Sequence, residues 1–203
     1  MRLYLSSFRL GRHQDRLTAL TGAGRRAAVI CNAMDAATSD IRRQAVEREC
    51  GSLAGLGFEP TEFDLRETSL SDAADFDLVW VRGGNVFLLR RLLADTGSDT
   101  VLLDLLDRDA FVYAGYSAGA CVLGTDLSEL ASVDDLSVVN RPLFTGLGVL
   151  DRPVVPHVDS PDHPETAACT GVAEVLRGRG VRHWALRDGE VLLVHGEHLE
   201  LLG

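Results

Sequence analysis

Short apolar runs alternate with longer stretches that suit helices over most of this 203-residue chain. The runs cover residues 3–5, 27–31, 78–81, 111–114 and 154–155, which is the length of buried strands. Strands that alternate with helices form βαβ units, and such units build a largely parallel sheet. The sequence therefore predicts a three-layer α/β fold, in which a mostly parallel sheet is covered by helices on both faces.

Capping residues and apolar spacing place two of the helices. Ser39 or Asp40 can cap the first, which ends near Gly55 and Gly57, and Asn85 can cap the second. Each helix would pack one apolar face against the sheet. The predicted faces consist of Ile41, Ala45, Val46, Glu49 and Leu53 in the first helix and of Phe87, Leu88, Leu92 and Leu93 in the second.

The C-terminal segment has a different pattern, which is typical of antiparallel strands. Residues 184–186 and 191–194 are apolar and flank Asp188-Gly189, a strong turn pair, so a C-terminal β-hairpin is predicted there. Residues 198–202 would add a strand at the edge of the sheet. Because an apolar edge strand can pair with a second copy of the chain, the sequence is compatible with a homodimer.

Length and composition are those of one ordinary globular domain, which we expect to span residues 1–203. Hydrophobic residues make up 46% of the chain and charged residues 25%, which excludes a disordered chain, a collagen and a disulfide scaffold.

The four cysteines form no C-x-x-C pair, so we expect free thiols. No histidine pair has the spacing of a zinc site. Neither a metal ion nor another cofactor is predicted.

The net charge of −10 bears on partners and on substrates. A negative surface does not attract nucleic acid or an anionic membrane, so neither is predicted as a partner, and polyacidic substrates are disfavoured. No apolar run approaches the roughly 20 residues that span a bilayer, and the first residues do not form a signal-peptide pattern. We therefore expect a cytoplasmic protein.

One strand end carries the pattern of a nucleophile elbow. The strand at residues 111–114 leads into Gly115-Tyr116-Ser117-Ala118-Gly119-Ala120, a G-x-S-x-G motif followed by helix-compatible sequence. Small residues beside the serine permit a sharp turn that exposes its hydroxyl above the sheet. Ser117 would then be a nucleophile, and the N–H of Ala118 would be one donor of an oxyanion hole. The structural alternative is a glycine-rich turn in which the serine only caps the helix.

A second strand ends in a glycine pair, within Val81-Arg82-Gly83-Gly84-Asn85. Glycine lets the backbone approach a ligand closely, so Gly84 is the candidate for the other oxyanion donor. Gly83, Asn85 and Arg82 would lie near the substrate, where Arg82 could bind a carboxylate. The alternatives are a plain turn before an Asn cap and a solvated arginine. No phosphate-binding glycine motif is present.

A serine hydroxyl needs a base, and histidine is the usual one near neutral pH. His157 follows the apolar run at residues 154–155, at a strand end where it could face Ser117. The other five histidines lie in polar, turn-like or edge segments. The base in turn needs an orienting carboxylate, for which the sequence leaves three candidates open: Asp188, Asp135 and Asp159.

Together, the motifs at residues 81–85, 115–120, 156–157 and 186–189 resemble those of the peptidase E and cyanophycinase family of serine peptidases. The resemblance spans nearly the whole chain, in order and with similar spacing. It implies the fold of class I glutamine amidotransferases, with a serine where those enzymes carry a nucleophilic cysteine.

The resemblance also implies roles for individual residues. Ser117 would be the nucleophile and His157 the base, with Gly84 and Ala118 as the oxyanion donors. A family glutamate falls on Asp188, which is one methylene shorter, and a family loop aspartate falls on Asp135. We take Asp188 as the direct partner of His157, Asp135 as a supporting or alternative acid, and Asp159 as the third choice.

Specificity is where the sequence departs from the family. Peptidase E cleaves dipeptides with an N-terminal aspartate, and the family carries an arginine after the catalytic histidine that the matching residues 164–168 lack. A buried carboxylate without a cationic partner is costly. We therefore expect a serine peptidase of short peptides, dipeptidase-like with broadened rather than strict aspartyl specificity, that acts through an acyl-enzyme. An esterase or amidase of small acyl substrates and a non-catalytic binding module are the alternatives.

Overall fold

The computed structural model describes residues 1–203 and contains nine strands and six α-helices. The strands are β1 (Arg2–Ser6), β2 (Arg26–Ile30), β3 (Glu59–Glu62), β4 (Leu78–Val81), β5 (Val112–Tyr116), β6 (Val154–Val155), β7 (Trp184–Ala185), β8 (Val191–His195) and β9 (His198–Leu202). The α-helices are α1 (Gln14–Thr21), α2 (Ser39–Ala54), α3 (Val86–Asp95), α4 (Ser98–Asp107), α5 (Ala118–Cys121) and α6 (Thr166–Gly178). These helices lack the combination of length and apolar sequence that a bilayer crossing requires.

Seven strands form one sheet, in the order β3-β2-β4-β5-β1-β8-β9. The strands from β3 to β1 are parallel, whereas β8 and β9 run antiparallel to their neighbours. The mostly parallel sheet predicted from the alternation of strands and helices is thus confirmed. The edge strand β3 was not predicted, because its Glu-Pro-Thr-Glu sequence contains no apolar run.

Alternate residues of each central strand enter two separate cores. Leu3 and Leu5 of β1 pack in one core with α3, α4 and α6, while Tyr4 between them packs in the other core with α1 and α2. This is the two-residue period of a strand that is buried on both faces. The predicted three layers are therefore confirmed.

The predicted helix caps are confirmed at only one of the two helices. Asn85 caps α3, where its side-chain oxygen accepts the N–H of Leu88 at 3.0 Å. At α2 the cap residue is Thr38, not Ser39 or Asp40, and its side chain makes no capping hydrogen bond.

The buried faces of these two helices also differ in part from the prediction. Ile41, in the first turn of α2, is 51% exposed. In α3, which is apolar on most sides, Leu88 and Leu92 are only partly buried. The buried residues are Ala45, Glu49 and Leu53 in α2 and Val86, Phe87, Leu89 and Leu93 in α3.

The C-terminal hairpin lies later in the chain than predicted. Residues 184–185 form β7, which pairs in parallel with β6, and the N–H of Leu186 donates to the carbonyl of Val155 at 2.9 Å. The hairpin instead consists of β8 and β9, with Gly196 in its turn. Asp188-Gly189 is therefore a connection between two sheets, and it follows the strand that lies beside β6.

Candidate active site

The strand ends that carry the candidate residues converge on one cleft, as expected for the carboxyl edge of a parallel sheet. A cavity of about 230 Å³ opens there. It brings together the predicted nucleophile Ser117, the predicted base His157 and the glycine pair Gly83-Gly84. The other lining residues are Phe8, Arg9, Arg48, Arg82, Tyr116, His163, Pro164 and Glu165.

Ser117 occupies a strained turn between β5 and α5. Its φ of 48° and ψ of −118° lie outside the regions that non-glycine residues favour. The flanking glycines are required for steric reasons. A Cβ at Gly115 would lie 2.8 Å from the carbonyl oxygen of Val81, and one at Gly119 would collide with the same atom. The G-x-S-x-G pattern is thus the sequence signature of a turn packed tightly against β4.

His157 and Asp188 form a direct hydrogen-bonded pair. His157 is buried in the segment after β6, and its Nδ1 lies 2.7 Å from Oδ1 of Asp188. Asp188 reaches it because β7 runs beside β6, so that the segments following the two strands are neighbours. A carboxylate at Nδ1 keeps the proton on that nitrogen and leaves Nε2 with a free lone pair.

The pKa of His157 is lowered from the usual histidine value by burial, against the opposing hydrogen bond and charge of Asp188. Two rings pack against the imidazole. His163 stacks on its face with ring centroids 3.5 Å apart and 3° between the planes, and Phe8 meets it edge-on at 5.8 Å. A lowered pKa keeps the imidazole neutral at physiological pH, which is the form that accepts a proton.

The other two candidate acids lie apart from His157. Asp135 is exposed, and its carboxylate accepts the N–H of Ser137 at 2.8 Å. Asp159 pairs with Arg187 at the surface, at 3.2 Å. Neither makes a hydrogen bond to His157, so of the three carboxylates the structure brings only Asp188 to the imidazole.

Asp134 lies next to Asp135 in the same loop, and its carboxylate points into the protein. Its Oδ2 accepts the N–H of Val86 at 2.6 Å, at the start of α3. Burial raises the pKa of Asp134 to about 6, the bond from Val86 opposes this, and the charge of Glu165 adds to the rise. This loop therefore anchors α3 rather than the histidine.

His157, His163 and Glu165 place their potential ligand atoms within 4.8 Å of one another, but their geometry does not suit a metal ion. A metal lies in the plane of each imidazole that binds it, whereas these two rings are stacked in parallel. In addition, Nδ1 of His163 accepts the N–H of Glu165 at 3.2 Å, so in the neutral ring Nε2 carries the proton. We therefore assign no metal to this group.

Positions 83 and 84, beside Ser117, are glycines because a side chain would collide with neighbouring atoms. A Cβ at Gly83 would lie 2.8 Å from Cβ of Ser117. Gly84 has a φ of 145°, and a Cβ on it would lie 2.6 Å from the carbonyl oxygen of Ala33. That carbonyl accepts the N–H of Asn85 at 3.0 Å, which fixes the loop after β4.

The buried carboxylate of Glu49 binds side chains from the carboxyl ends of β4 and β5. Its Oε1 accepts the hydroxyl of Tyr116 at 2.8 Å and lies 3.3 Å from Nε of Arg82, and its Oε2 accepts the indole N–H of Trp80 at 2.9 Å. Arg82 is consequently 14% exposed at its side chain and is not a solvated arginine. The helical spacing predicts Glu49 only as part of an apolar face, so its role as an anchor was missed.

The segment after β1 was also missed as a part of the site. Phe8 and Arg9 line the cleft, and Ser7 lies behind His157. The pattern that points to His157 also applies to them, because these residues directly follow a predicted buried strand. Arg48 of α2 carries no such signal, since it follows no strand.

Known proteins with similar sequences are peptidases. The model of peptidase family S51 matches residues 7–202. A peptidase E of Streptomyces coelicolor is 29% identical over 196 residues, which cover 93% of this chain and 76% of that protein. A Drosophila melanogaster protein named probable alpha-aspartyl dipeptidase is 28% identical over 165 residues, which cover 79% of this chain and 65% of that protein.

Two solved structures share the fold. A candidate peptidase E from Listeria monocytogenes EGD-e has a TM-score of 0.82 at 21% identity, over 99% of this chain and 97% of that chain. A peptidase from an acI-B1 Actinobacterium has a TM-score of 0.71 at 17% identity, over 100% and 87% of the two chains. At these identities the likeness concerns the fold alone, and it confirms the predicted α/β class.

Proposed function

The chain belongs to peptidase family S51 and is a serine-type peptidase hydrolase, and on that premise we propose that it cleaves short peptides through an acyl-enzyme on Ser117. The observation that carries the proposal is the 2.7 Å pair of His157 Nδ1 and Asp188 Oδ1 in the cleft that also contains the strained Ser117. The resemblance to peptidase E found in the sequence is confirmed at the level of the family.

In this mechanism Nε2 of His157 accepts the hydroxyl proton of Ser117 while Oγ attacks the carbonyl carbon of the peptide bond. Asp188 stabilises the imidazolium that forms. The backbone N–H groups of Gly84 and Ala118 would hold the oxyanion of the tetrahedral intermediate. His157 then returns the proton to the leaving amine, and water repeats the sequence to release the acyl group as an acid.

Three arginines in the cleft bear on the substrate. Arg9 and Arg48 line it without an ion-pair partner in the chain, and Arg82 also lines it, with its charge shared with Glu49. In a chain of net charge −10, this is a local cationic site suited to a carboxylate.

These arginines bear on the substrate specificity, which the sequence predicts to be broader than strict cleavage after aspartate. The segment at residues 164–168 lacks the family arginine, but Arg9 and Arg48 bring cationic groups to the cleft from other parts of the chain. We therefore propose that the preferred peptides carry a carboxylate near the scissile bond, with acidic residues beyond aspartate accepted. The name of the Drosophila relative, which refers to an alpha-aspartyl dipeptidase, supports this direction.

A panel of dipeptides that differ only in one charge tests both parts of the proposal. Release of free amino acids from Asp-Leu, Asn-Leu, Glu-Leu, Gln-Leu and Ala-Leu, and from their N-acetylated forms, is measured with the wild type and with Ser117→Ala. We expect cleavage that requires the serine and favours each acid over its amide. The variant Arg48→Gln should raise KM for the acids and leave the amides unchanged.

Each other outcome has a defined meaning. Cleavage that requires the serine but treats acid and amide alike would retain the peptidase mechanism and overturn the carboxylate preference. Hydrolysis of small acyl esters without any peptide cleavage would favour an esterase. Peptide binding that is equal in wild type and Ser117→Ala, with no turnover in either, would favour a binding module.

A further inference from the structure

Ser7 lies directly beside the nucleophile at the carboxyl edge of the sheet. β1 pairs in parallel with β5, with Ser6 opposite Tyr116, so the next residues of the two strands, Ser7 and Ser117, are also neighbours. The carbonyl oxygen of Ser7 accepts the N–H of Ser117 at 3.2 Å. The Ser7 side chain is fully buried and does not line the cleft, so it does not meet the substrate.

The hydroxyl of Ser7 contacts both remaining residues of the proposed triad. Its oxygen accepts the N–H of His157 at 2.8 Å and lies 2.8 Å from Oδ1 of Asp188. The carbonyl oxygen of Leu186 is farther away, at 3.3 Å. Since a hydroxyl has one proton, the shorter, charge-assisted bond to the carboxylate is favoured.

These contacts converge on the atom that orients the base. Oδ1 of Asp188 accepts from the Ser7 hydroxyl and also faces Nδ1 of His157. Ser7 thus holds the backbone of the nucleophile, the backbone of the base and the carboxylate oxygen of the acid. A buried hydroxyl whose two short bonds go to the base and to its acid fixes the distance between these two residues.

We propose that Ser7 is a positioning residue for the reaction, which sets the geometry of Ser117, His157 and Asp188 through three hydrogen bonds. This inference rests on the proposed function. Ser7 acts through other residues, by keeping His157 at the place from which Nε2 reaches the serine hydroxyl. It also takes up part of the negative charge of Asp188 that would otherwise face the imidazole.

A pH profile separates this role from simple packing. Without the Ser7 hydroxyl, Oδ1 of Asp188 loses one donor, and its charge stabilises the imidazolium of His157 more strongly. The pKa of His157 then rises. Because the base must be neutral, the acid limb of the kcat/KM profile moves to higher pH, which a loss of packing alone would not cause.

The experiment compares Ser7→Ala with Ser98→Ala in the full chain, with the best dipeptide of the panel above. Ser98 is also a buried serine, and its hydroxyl accepts from Thr96 at 2.7 Å in α4, away from the cleft. For Ser7→Ala we expect kcat to fall on the order of tenfold to a hundredfold, with KM little changed and the acid limb moved upward. Ser98→Ala should keep the kinetic profile even if its melting temperature falls.

An acid limb of Ser7→Ala that stays at the wild-type pH or moves lower would overturn the proposal. If Ser7→Ala does not fold, Ser7→Cys fills the site with a larger atom that is a weaker donor, and it should shift the limb in the same direction by a smaller amount. Failure of the proposed function is distinguishable, because it would appear as wild-type turnover that does not depend on Ser117.

Discussion

The two sides of the cleft are built on different principles. On the histidine side, His157 lines the cleft and is held by the side chains of Asp188 and Ser7 through hydrogen bonds of 2.7 and 2.8 Å. The glycine side, made of Gly83 and Gly84, consists of backbone that fits only because side chains are absent. Charge and protonation therefore control the histidine side, whereas steric fit controls the glycine side.

The largest effect should come from the carboxylate of the histidine side. Asp188→Asn keeps the shape but cannot stabilise the imidazolium, so kcat should fall by about 10³ to 10⁴. Asp135→Asn, which changes an exposed carboxylate, should stay within about twofold of the wild type. Steady-state kinetics of the two variants with the best dipeptide decide between the two acids. A large loss in Asp135→Asn with none in Asp188→Asn would reverse our assignment.

A smaller effect is expected on the glycine side. In Gly84→Ala the new methyl group would meet the carbonyl of Ala33, so the loop and its N–H must shift, and kcat should fall about a hundredfold. The acid limb of the pH profile should stay in place, because no titrating group changes. Gly97→Ala is the matched control, since Gly97 also has a positive φ, of 69°, but open space around its Cβ position. Equal losses in both variants would show that only backbone strain matters.

The smallest effect concerns the protonation of His157. Burial lowers the pKa of His157, so the acid limb of kcat/KM for the wild type should lie below the ordinary histidine value of 6.5. In Phe8→Ala water reaches the imidazole, desolvation is reduced, and the limb should move up toward 6.5. A wild-type limb at or above 6.5 would show that the charge of Asp188 outweighs burial.

The strand ends of the site could be predicted from the sequence, because each follows a short apolar run. Ser117, Gly84 and His157 were placed in this way, and the structure brings them to one cleft. The residue pattern alone left the choice among Asp188, Asp135 and Asp159 open, and only the family resemblance favoured Asp188, since the choice depends on which strand pairs with β6. The local turn signal of Asp188-Gly189 favoured a hairpin, whereas a tertiary pairing of two-residue strands determined the outcome.

Contacts between distant segments account for the remaining residues. Arg9, Arg48 and Glu49 enter the site from the loop after β1 and from α2, and no local pattern marks which side of α2 faces the cleft. Glu49 follows the helical spacing of a buried position, but its partners Trp80 and Tyr116 belong to other elements. The fold class follows from periodicity, while the polar network depends on packing between elements.

In the proposed mechanism the hydroxyl of Ser117 is a nucleophile activated by His157 and Asp188. The most direct measurement is intact mass and peptide mapping after reaction with a fluorophosphonate, comparing the wild type with Ser117→Ala and Asp188→Asn. We expect one phosphonyl adduct per chain, located on Ser117, absent from Ser117→Ala and formed far more slowly in Asp188→Asn. An adduct on another residue, or the same rate of labelling in Asp188→Asn as in the wild type, would rule out this mechanism.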